Sequence, residues 1–289
     1  MSYGKTIELF LVNGTTDSIT TAELSNWNGK AIKIPRIEVA GCKREDITEP
    51  GVYFLFAKDD EGNDSVYIGE SENVKERLLQ HMRDFDAGRE NFEWNTAVIF
   101  IGRDLNKALI RYLEDRLAKM ARDSKRFVVL TKKTYKNTVL KESQIAAMEE
   151  FIDNIRVLIN ALGYKALEPY IQPYEKNPDE DHDIYYLEAS GYKASGRATS
   201  EGFVVFSGST INSSESKSLP RGNKKLREDL MSSAKIRNYT FTEDFLFPSL
   251  TSAAECIAGC SISGPGSWKL KDGRSYKEVQ TASIGSSAD

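Results

Sequence analysis

Four side chains that can handle a phosphate group fall within one segment, residues 51–81. Tyr53 and Tyr67 each stand two residues from a glycine, and Arg77 and His81 are four apart, so that they emerge on one face of a helix. An arginine offers a fixed fork of donors for phosphate oxygens, and a histidine or a tyrosinate can take a proton near neutral pH if its pKa is adjusted. The set predicts a phosphodiester site. The alternative is that both tyrosines pack inside a sheet while the arginine and histidine are solvated.

Glu114 adds a candidate metal ligand to this set. It falls in a helix expected over residues 106–122, at the edge of an apolar stripe that includes Ile110, Leu117 and Ala121. An ionised carboxylate is rarely buried without a partner, and Mg²⁺ often takes one or two protein carboxylates while keeping its waters. The position therefore predicts either a divalent cation or an ion pair with an arginine of the preceding helix.

A β-hairpin followed by a helix must position the tyrosines, the arginine and the histidine. GVYFLFA and SVYIGE predict the two strands, and KDDEGND, rich in Asp, Gly and Asn, suits the loop between them. Ser71 predicts the N-cap of the helix, which we expect to run to about Phe85. Strand alternation gives Phe54 and Phe56 a packing role on the face opposite Tyr53.

Other strands and helices are expected on both sides of this segment. In the first part of the chain they are strands at 6–12, 29–35 and 96–102, a short helical turn at Thr20–Leu24, and helices over 106–122 and 143–162. In the last part they are strands in GFVVFSG and YTFTEDFLF and helices at Pro220–Ser232 and Ser252–Ala258. A hairpin in SWKLKDGRSYKEV, which turns at Asp272 and Gly273, follows them. The pattern predicts a mixed α/β (α+β) protein. Its expected segments are 1–48, 49–140, 141–167, a linker rich in proline and acidic residues at 168–184, and a small α+β domain at 185–289.

Composition places the 289-residue chain among soluble globular proteins, with 40% hydrophobic and 28% charged residues. No apolar run approaches the ~20 residues of a membrane span, and the first residues carry no secretory signal. Cys42, Cys256 and Cys260 are odd in number, which favours a reducing cytoplasm over a disulfide framework. The net charge of −4 argues against a uniformly basic coat, although local patches decide contact with a polyanion.

The order and spacing of five dispersed elements resemble the GIY-YIG endonuclease superfamily over about residues 49–140. These elements are GVY at 51–53, YIG at 67–69, Arg77 and His81 on the helix, and Glu114 in YLEDRL. IELFLVNG and TAELSNWNGKAIKIPR resemble the N-terminal extension of a bacterial subfamily, and GFVVFSGS through FTEDFLFPSLTSAA resembles the small C-terminal domain of unknown function that is often attached to it. The resemblance implies a small antiparallel sheet flanked by helices, and a hydrolytic cut of a phosphodiester with one divalent ion.

In the scheme that the resemblance implies, Glu114 holds Mg²⁺ or Mn²⁺, and Arg77 neutralises charge that grows on the phosphoryl oxygens. One of Tyr53 and Tyr67 activates or orients the attacking water, and the other completes the proton path with His81. Because the pKa of a free tyrosine is ~10, nearby cations must lower it for a tyrosinate to serve as base.

The resemblance also implies roles for smaller features of the segment. Gly51 and Gly69 let the backbone pass close to the substrate without a Cβ. The late asparagine of the family is best matched by Asn137 in YKNTV.

One residue departs from the family pattern. Many members carry a lysine just after the YIG glycine, where this chain has Glu70. A carboxylate there repels phosphate unless it faces away or joins the metal shell. Lys75 and Arg83 are candidates to compensate its charge.

The C-terminal segment contains a basic cluster in LPRGNKKLRED. It includes Arg221, Lys224, Lys225 and Arg227. Together with aromatic residues elsewhere in the segment, the cluster suits a polyanion, although such a helix face is more often only solvated surface.

Taken together, the residues favour a metal-dependent endonuclease that acts on nucleic acid, DNA more readily than RNA, in restriction or in defence against phage and mobile elements. The alternative is a catalytically weak or inactive nucleic-acid-binding or adaptor protein that retains the fold, which Glu70 and the acidic balance motivate. No membrane partner is expected. The oligomeric state is left open, with a homodimer as one option.

Overall fold

The computed structural model describes residues 3–58, 62–132, 134, 138–169 and 184–285, with side chains as far as residue 282. The chain separates into two compact units, Met1–Tyr170 and Ile171–Asp289. Both units combine strands with helices, which confirms the predicted α+β class. Among the residues described, no helix is long and apolar enough to cross a membrane.

Seven strands form one sheet in the first unit, in the order β1-β2-β3-β6-β4-β5-β7. They are β1 (Ile7–Leu11), β2 (Thr20–Leu24), β3 (Gly29–Pro35), β4 (Gly51–Lys58), β5 (Asp64–Ser71), β6 (Trp94–Gly102) and β7 (Val128–Val129). Neighbouring strands are antiparallel except β5 and β7, which are parallel. The segment expected as an N-terminal extension therefore continues the sheet of the segment that carries the candidate site.

Helices cover both faces of this sheet. They are α1 (Arg36–Val39), α2 (Val74–Asp86), α3 (Lys107–Ser124) and α4 (Glu142–Ala161), with a 3₁₀ turn at Asp46–Thr48. The apolar stripes of α3 and α4 pack on one face with Phe54 and Phe56, and α2 packs on the other with Tyr53 and Leu55. The alternation predicted along β4 is confirmed.

The register of the β4–β5 hairpin decides which face each tyrosine occupies. Tyr53 lies opposite Gly69, and Leu55 lies opposite Tyr67. Residues opposite each other in an antiparallel pair share a face, so both tyrosines point towards α2. Asn73, rather than Ser71, caps that helix, and its side chain accepts from the backbone N–H of Glu76 at 3.0 Å.

The second unit has a four-stranded sheet in the order β13-β10-β9-β8 and a separate pair, β11 with β12. Its strands are β8 (Tyr185–Ala189), β9 (Tyr192–Thr199), β10 (Gly202–Val205), β11 (Ile236–Arg237), β12 (Thr240–Phe241) and β13 (Phe245–Phe247). Its helices are α5 (Arg221–Ser232), α6 (Leu250–Ala258), α7 (Gly264–Ser267) and α8 (Tyr276–Gly285). The core contains Phe203, Phe247 and Trp268, all with no exposed surface.

Two expectations about secondary structure are wrong. Thr20–Leu24 is a strand rather than a helical turn, because it pairs with β1 on one side and β3 on the other. The C-terminal hairpin is reduced to a single bridge between Lys269 and Ser275. Beyond it the chain becomes helical, because Ser275 and Glu278 form a capping box. The Glu278 carboxylate accepts a hydrogen bond from the Ser275 N–H at 2.7 Å, and the Ser275 hydroxyl accepts one from the Glu278 N–H at 3.3 Å.

Candidate active site

Tyr53, Tyr67 and His81 form an aromatic cluster between the sheet and α2. The two tyrosine rings stack with their centroids 6.3 Å apart. The His81 ring meets both of them nearly edge-on, at 5.7 Å from Tyr53 and 5.1 Å from Tyr67. The cluster brings together three of the four side chains that the sequence singled out in the hairpin and helix.

His81 is hydrogen bonded at both ring nitrogens. Its Nε2 lies 2.9 Å from the Tyr53 hydroxyl, and its Nδ1 lies 2.7 and 2.8 Å from the two carboxylate oxygens of Glu90. The imidazole has no exposed surface. Burial lowers the pKa of His81, and the positive charge of Arg77 lowers it further. The hydrogen bond to Glu90 and the negative charge of Glu90 raise the pKa, but they do not cancel the lowering. His81 is therefore neutral at pH 7.

Glu90 comes from the loop that follows α2. Gly88 adopts a left-handed conformation, φ 67°, which turns the chain back over the helix it has just left. The backbone N–H groups of Arg89 and Glu90 both donate to the Asp84 carbonyl, at 2.8 and 3.2 Å. Further along the loop, Phe92 stacks on Tyr67 with centroids 5.5 Å apart. This loop thus covers both the histidine and the second tyrosine.

Arg77 interacts with the hydroxyl groups of both tyrosines, from its half-buried position on α2. Burial raises the pKa of Tyr53 well above its usual value and raises that of Tyr67 as well; the charge of Arg77 opposes both shifts without overcoming them. The expected lowering of a tyrosine pKa by nearby cations is therefore not found, and both hydroxyls are protonated at neutral pH.

Glu114 lies on α3 with only 7% of its surface exposed. Its Oε2 is buried, and no described residue donates a hydrogen bond to it. Burial raises the pKa of this carboxyl to about 7, and the neighbouring negative charge of Glu70 contributes to the shift. The negative charge of Glu114 also raises the pKa of Tyr53 and Tyr67. Glu114 therefore interacts electrostatically with the tyrosines of the aromatic cluster and belongs to the same electrostatic site.

A buried carboxylate oxygen without a donor is suited to a divalent cation. The expected alternative, an ion pair with an arginine of the preceding helix, is not formed by the described residues. The described residues also contain no group of three or more His, Cys, Asp or Glu side chains placed to hold a metal. The donor set therefore fits a hard cation with one protein carboxylate, completed by water and phosphate oxygens, better than a closed structural site.

Glu70 is paired with α3. Its carboxylate accepts from the Lys107 ammonium at 2.8 Å and lies 3.8 Å from the Arg111 guanidinium. Lys107, Arg111 and Glu114 are spaced by four and three residues, so they share the face of α3 that packs against β5. Glu70 is thus compensated by two cations that the sequence had not assigned to it.

The residues expected to compensate Glu70 lie in other contacts. Lys75 donates to the Cys42 carbonyl at 2.5 Å, and Arg83 pairs with Glu76 at 2.6 Å. The expected role of Lys75 in substrate binding is accordingly without structural support in this arrangement.

The two motif glycines make room for protein groups. A Cβ on Gly69 would lie 2.4 Å from the Tyr53 hydroxyl, and one on Gly51 would lie 2.5 Å from the Phe100 carbonyl oxygen. Glycine at 69 therefore allows the Tyr53 ring to cross the neighbouring strand, and glycine at 51 allows β4 to pair closely with β6. In both places the nearest atoms to the added Cβ are protein atoms, and the expected role in substrate approach stays a prediction.

The remaining expected site residues are Asn137 and the basic residues of the second unit. Asn137 lies outside the described residues. In the second unit Arg221, Lys224 and Lys225 are all exposed, and Lys224 pairs with Glu215 at 2.7 Å. Arg227 is buried and donates to the backbone carbonyls of Asn212 and Cys256. Of the basic cluster, Arg227 is thus a structural residue that joins α5 to α6.

Sequence reasoning missed Glu90, Phe92 and the pairing of Glu70 with Lys107. The one local signal for the first two is Gly88, because a glycine just after a helix indicates that the chain turns back there. Which side chain then reaches the histidine depends on the length of the loop, and no periodicity encodes that.

The family described as "Domain of unknown function (DUF4357)" has a model that matches residues 185–280. The match lies within the second unit and does not extend to the unit that contains the candidate site. No curated protein and no solved structure matches the chain. The second unit is therefore similar to a domain family without an assigned activity.

Proposed function

We propose that the first unit is a metal-dependent endonuclease that hydrolyses phosphodiester bonds of nucleic acid, DNA more readily than RNA. The observation that carries the proposal is the buried, unpartnered Oε2 of Glu114 in the same electrostatic site as Arg77 and the tyrosine–histidine cluster. A carboxylate without a donor is costly to bury, and a divalent cation offsets that cost. The resemblance of the segment to GIY-YIG endonucleases supports the same conclusion.

Each side chain has a distinct part in the proposed reaction. A divalent cation, Mg²⁺ or Mn²⁺, held by Glu114 would polarise the phosphate and stabilise the leaving oxygen. Arg77 neutralises the charge that develops on the phosphoryl oxygens. Tyr67, the more exposed tyrosine, orients the attacking water, and Tyr53 takes the proton of the water while it passes its own proton to His81. Because the proton moves on to a neutral imidazole, neither tyrosine has to ionise.

The experiment is cleavage of supercoiled plasmid and of single-stranded DNA in Mn²⁺ or Mg²⁺, with Glu114→Gln as the test variant. Asp123→Asn is the matched control, because it removes a carboxylate from an exposed position of the same helix. We expect cleavage by the wild type and the control, and none by Glu114→Gln. Absence of cleavage in either metal, or equal cleavage by Glu114→Gln, would refute the proposal.

A second candidate function is nucleic-acid binding without cleavage. The observation that favours it is Glu70, whose carboxylate stands near Glu114 and takes up the charge of Lys107, so that this cation is engaged in an ion pair rather than with a phosphate. This function predicts salt-sensitive binding that no metal converts to turnover. The same cleavage assay separates the two functions.

We also propose that the protein works in the cytoplasm, in restriction or in defence against phage and mobile elements. The three cysteines are free, which suits a reducing compartment. An enzyme that cuts DNA suits such a defence role, and cleavage of unmodified foreign DNA in preference to host DNA is the measurement that tests it.

A further inference from the structure

We infer that Glu90 is a positioning residue that fixes His81 in the tautomer able to accept the proton of Tyr53. The inference rests on the proposed nuclease function for its chemical meaning, but its geometry can be tested without any substrate. Glu90 lies outside the hairpin and helix motifs, and its carboxylate is the only described group within hydrogen-bond reach of His81 Nδ1.

The tautomer follows from the partners of the two ring nitrogens. An ionised carboxylate can only accept a hydrogen bond, so the short contacts of 2.7 and 2.8 Å require a proton on Nδ1. A neutral imidazole then carries a lone pair on Nε2, which faces the Tyr53 hydroxyl at 2.9 Å. The tyrosine is therefore the donor, and the order Tyr53–His81–Glu90 leads a proton away from the phosphate site.

The surroundings leave His81 little freedom to rotate or to use another partner. Its imidazole is fully buried, Tyr67 meets the ring at 5.1 Å, and the loop that carries Glu90 is held to α2 through the Asp84 carbonyl. The charged and titratable groups that act on His81 are Arg77 and Asp84 of α2, Glu90 of the loop, and Tyr53 and Tyr67 of the sheet. Of these, Glu90 alone bonds to the nitrogen that sets the tautomer.

The step that the geometry supports is balanced in atoms and charge. The oxygen of the attacking water bonds to phosphorus, and its proton passes to Tyr53 while the Tyr53 proton passes to His81 Nε2. The bond from phosphorus to the leaving oxygen breaks, and the leaving oxygen takes a proton from bulk water. His81 then returns its proton to solvent. During the step Glu90 faces an imidazolium and stabilises it, as a carboxylate behind a catalytic histidine does in other hydrolases.

The chain is well suited to a direct test, because it contains only two histidines, His81 and His182. Long-range ¹H–¹⁵N NMR of the full-length protein, in a His182→Ala background, reports the tautomer and the pKa of His81 alone. The test variant is Glu90→Gln, whose amide can both donate and accept and so no longer dictates the tautomer. The control is Glu93→Gln, which removes the same charge from an exposed position of the same loop.

We expect the Nδ1–H tautomer in the wild type and in Glu93→Gln. In Glu90→Gln we expect a mixture of tautomers and a pKa of His81 that falls by about one pH unit, because the stabilising charge is gone. An Nε2–H tautomer in the wild type, or an unchanged tautomer and pKa in Glu90→Gln, would overturn the inference.

The pH dependence of cleavage at saturating Mn²⁺ gives a second measurement. Because His81 must be neutral to accept a proton, the acid limb of the rate should move to lower pH in Glu90→Gln, and the plateau should fall roughly ten- to hundredfold. A plateau that falls with no movement of the limb would show that Glu90 is a structural tether only. If the wild type shows the expected tautomer but does not cleave DNA, the proposed function is refuted. The inference that Glu90 fixes the tautomer of His81 would still stand.

Discussion

At the scale of single residues, Glu114 is the side chain whose environment is least favourable to its charge. Its pKa rises to about 7 from a reference value of 4.5, because burial removes water and Glu70 adds a like charge. The folded state therefore binds a proton more tightly than the unfolded state. This contributes stability at pH values below the reference pKa, and the contribution is lost as the pH rises through about 7.

Replacing this acid should stabilise the metal-free protein. In EDTA at pH 8 we expect Glu114→Gln to raise the free energy of unfolding by about 1–3 kcal/mol, and the difference should shrink towards pH 5. Chemical denaturation at the two pH values measures it. Added Mn²⁺ should stabilise the wild type and leave the variant unchanged. A variant that is less stable than the wild type at pH 8 would show that the carboxylate has a structural partner.

Residue types and spacing were enough to single out Tyr53, Tyr67, Arg77, His81 and Glu114. They could not identify Glu90 or the cations around Glu70, because those contacts depend on how a loop and a strand end meet a helix. Arg227 shows the same limit, since a basic residue in a basic cluster proved to be buried against carbonyls.

At the scale of elements, the β4–β5 hairpin positions Tyr53 through the empty space at Gly69. We expect Gly69→Ala to displace the Tyr53 ring, to break its hydrogen bond to His81 and to destabilise the protein by about 1–3 kcal/mol. Thermal denaturation and the NMR signal of His81 measure the two effects. Gly41→Ala is the control, because a Cβ there meets no atom within 4 Å. Equal stability of Gly69→Ala and Gly41→Ala would contradict this packing role.

The pairing of α3 with the end of β5 supports a second prediction at this scale. Lys107→Ala removes the ammonium that pairs with the Glu70 carboxylate, so the negative charge of Glu70 is less well neutralised. That charge should then repel phosphate, and the pKa of Glu114 should rise further. We expect DNA binding in Mn²⁺ to weaken roughly three- to tenfold, equal to about 0.7–1.4 kcal/mol. Lys119→Ala, at an exposed position of the same helix, is the control. Equal binding by the two variants would mean that Glu70 does not affect the substrate.

Most of the central elements could be predicted, since long periodic helices and aromatic strands carry strong local signals. The two errors have physical causes. Thr20–Leu24 becomes a strand because sheet partners on both sides outweigh a weak local preference. The segment after Ser275 becomes a helix because its capping box is a stronger signal than the preceding Asp–Gly turn.

At the scale of the whole molecule, the chain separates into a unit with the candidate site and a unit that matches a domain of unknown function. In the second unit's basic cluster, Arg221 and Lys225 are exposed and take no part in the ion pair between Lys224 and Glu215. If they contact DNA phosphates, replacing both with alanine should make DNA binding less sensitive to salt. In EDTA, the slope of the logarithm of the binding constant against the logarithm of the salt concentration should be smaller in magnitude by up to about 2. Alanine at the exposed Lys217 and Lys277 is the control. Equal slopes in the two double variants would show a solvated surface without a role in binding.

In the proposed reaction, Glu114 holds the divalent cation that makes cleavage possible. The most direct measurement is a titration of Mn²⁺ against the wild type and Glu114→Gln, in which bound Mn²⁺ is followed by electron paramagnetic resonance and DNA cleavage is followed in the same samples. We predict that cleavage by the wild type rises in parallel with Mn²⁺ binding, and that Glu114→Gln shows neither. Cleavage in EDTA, or Mn²⁺ binding of equal affinity in the two proteins, would contradict the claim.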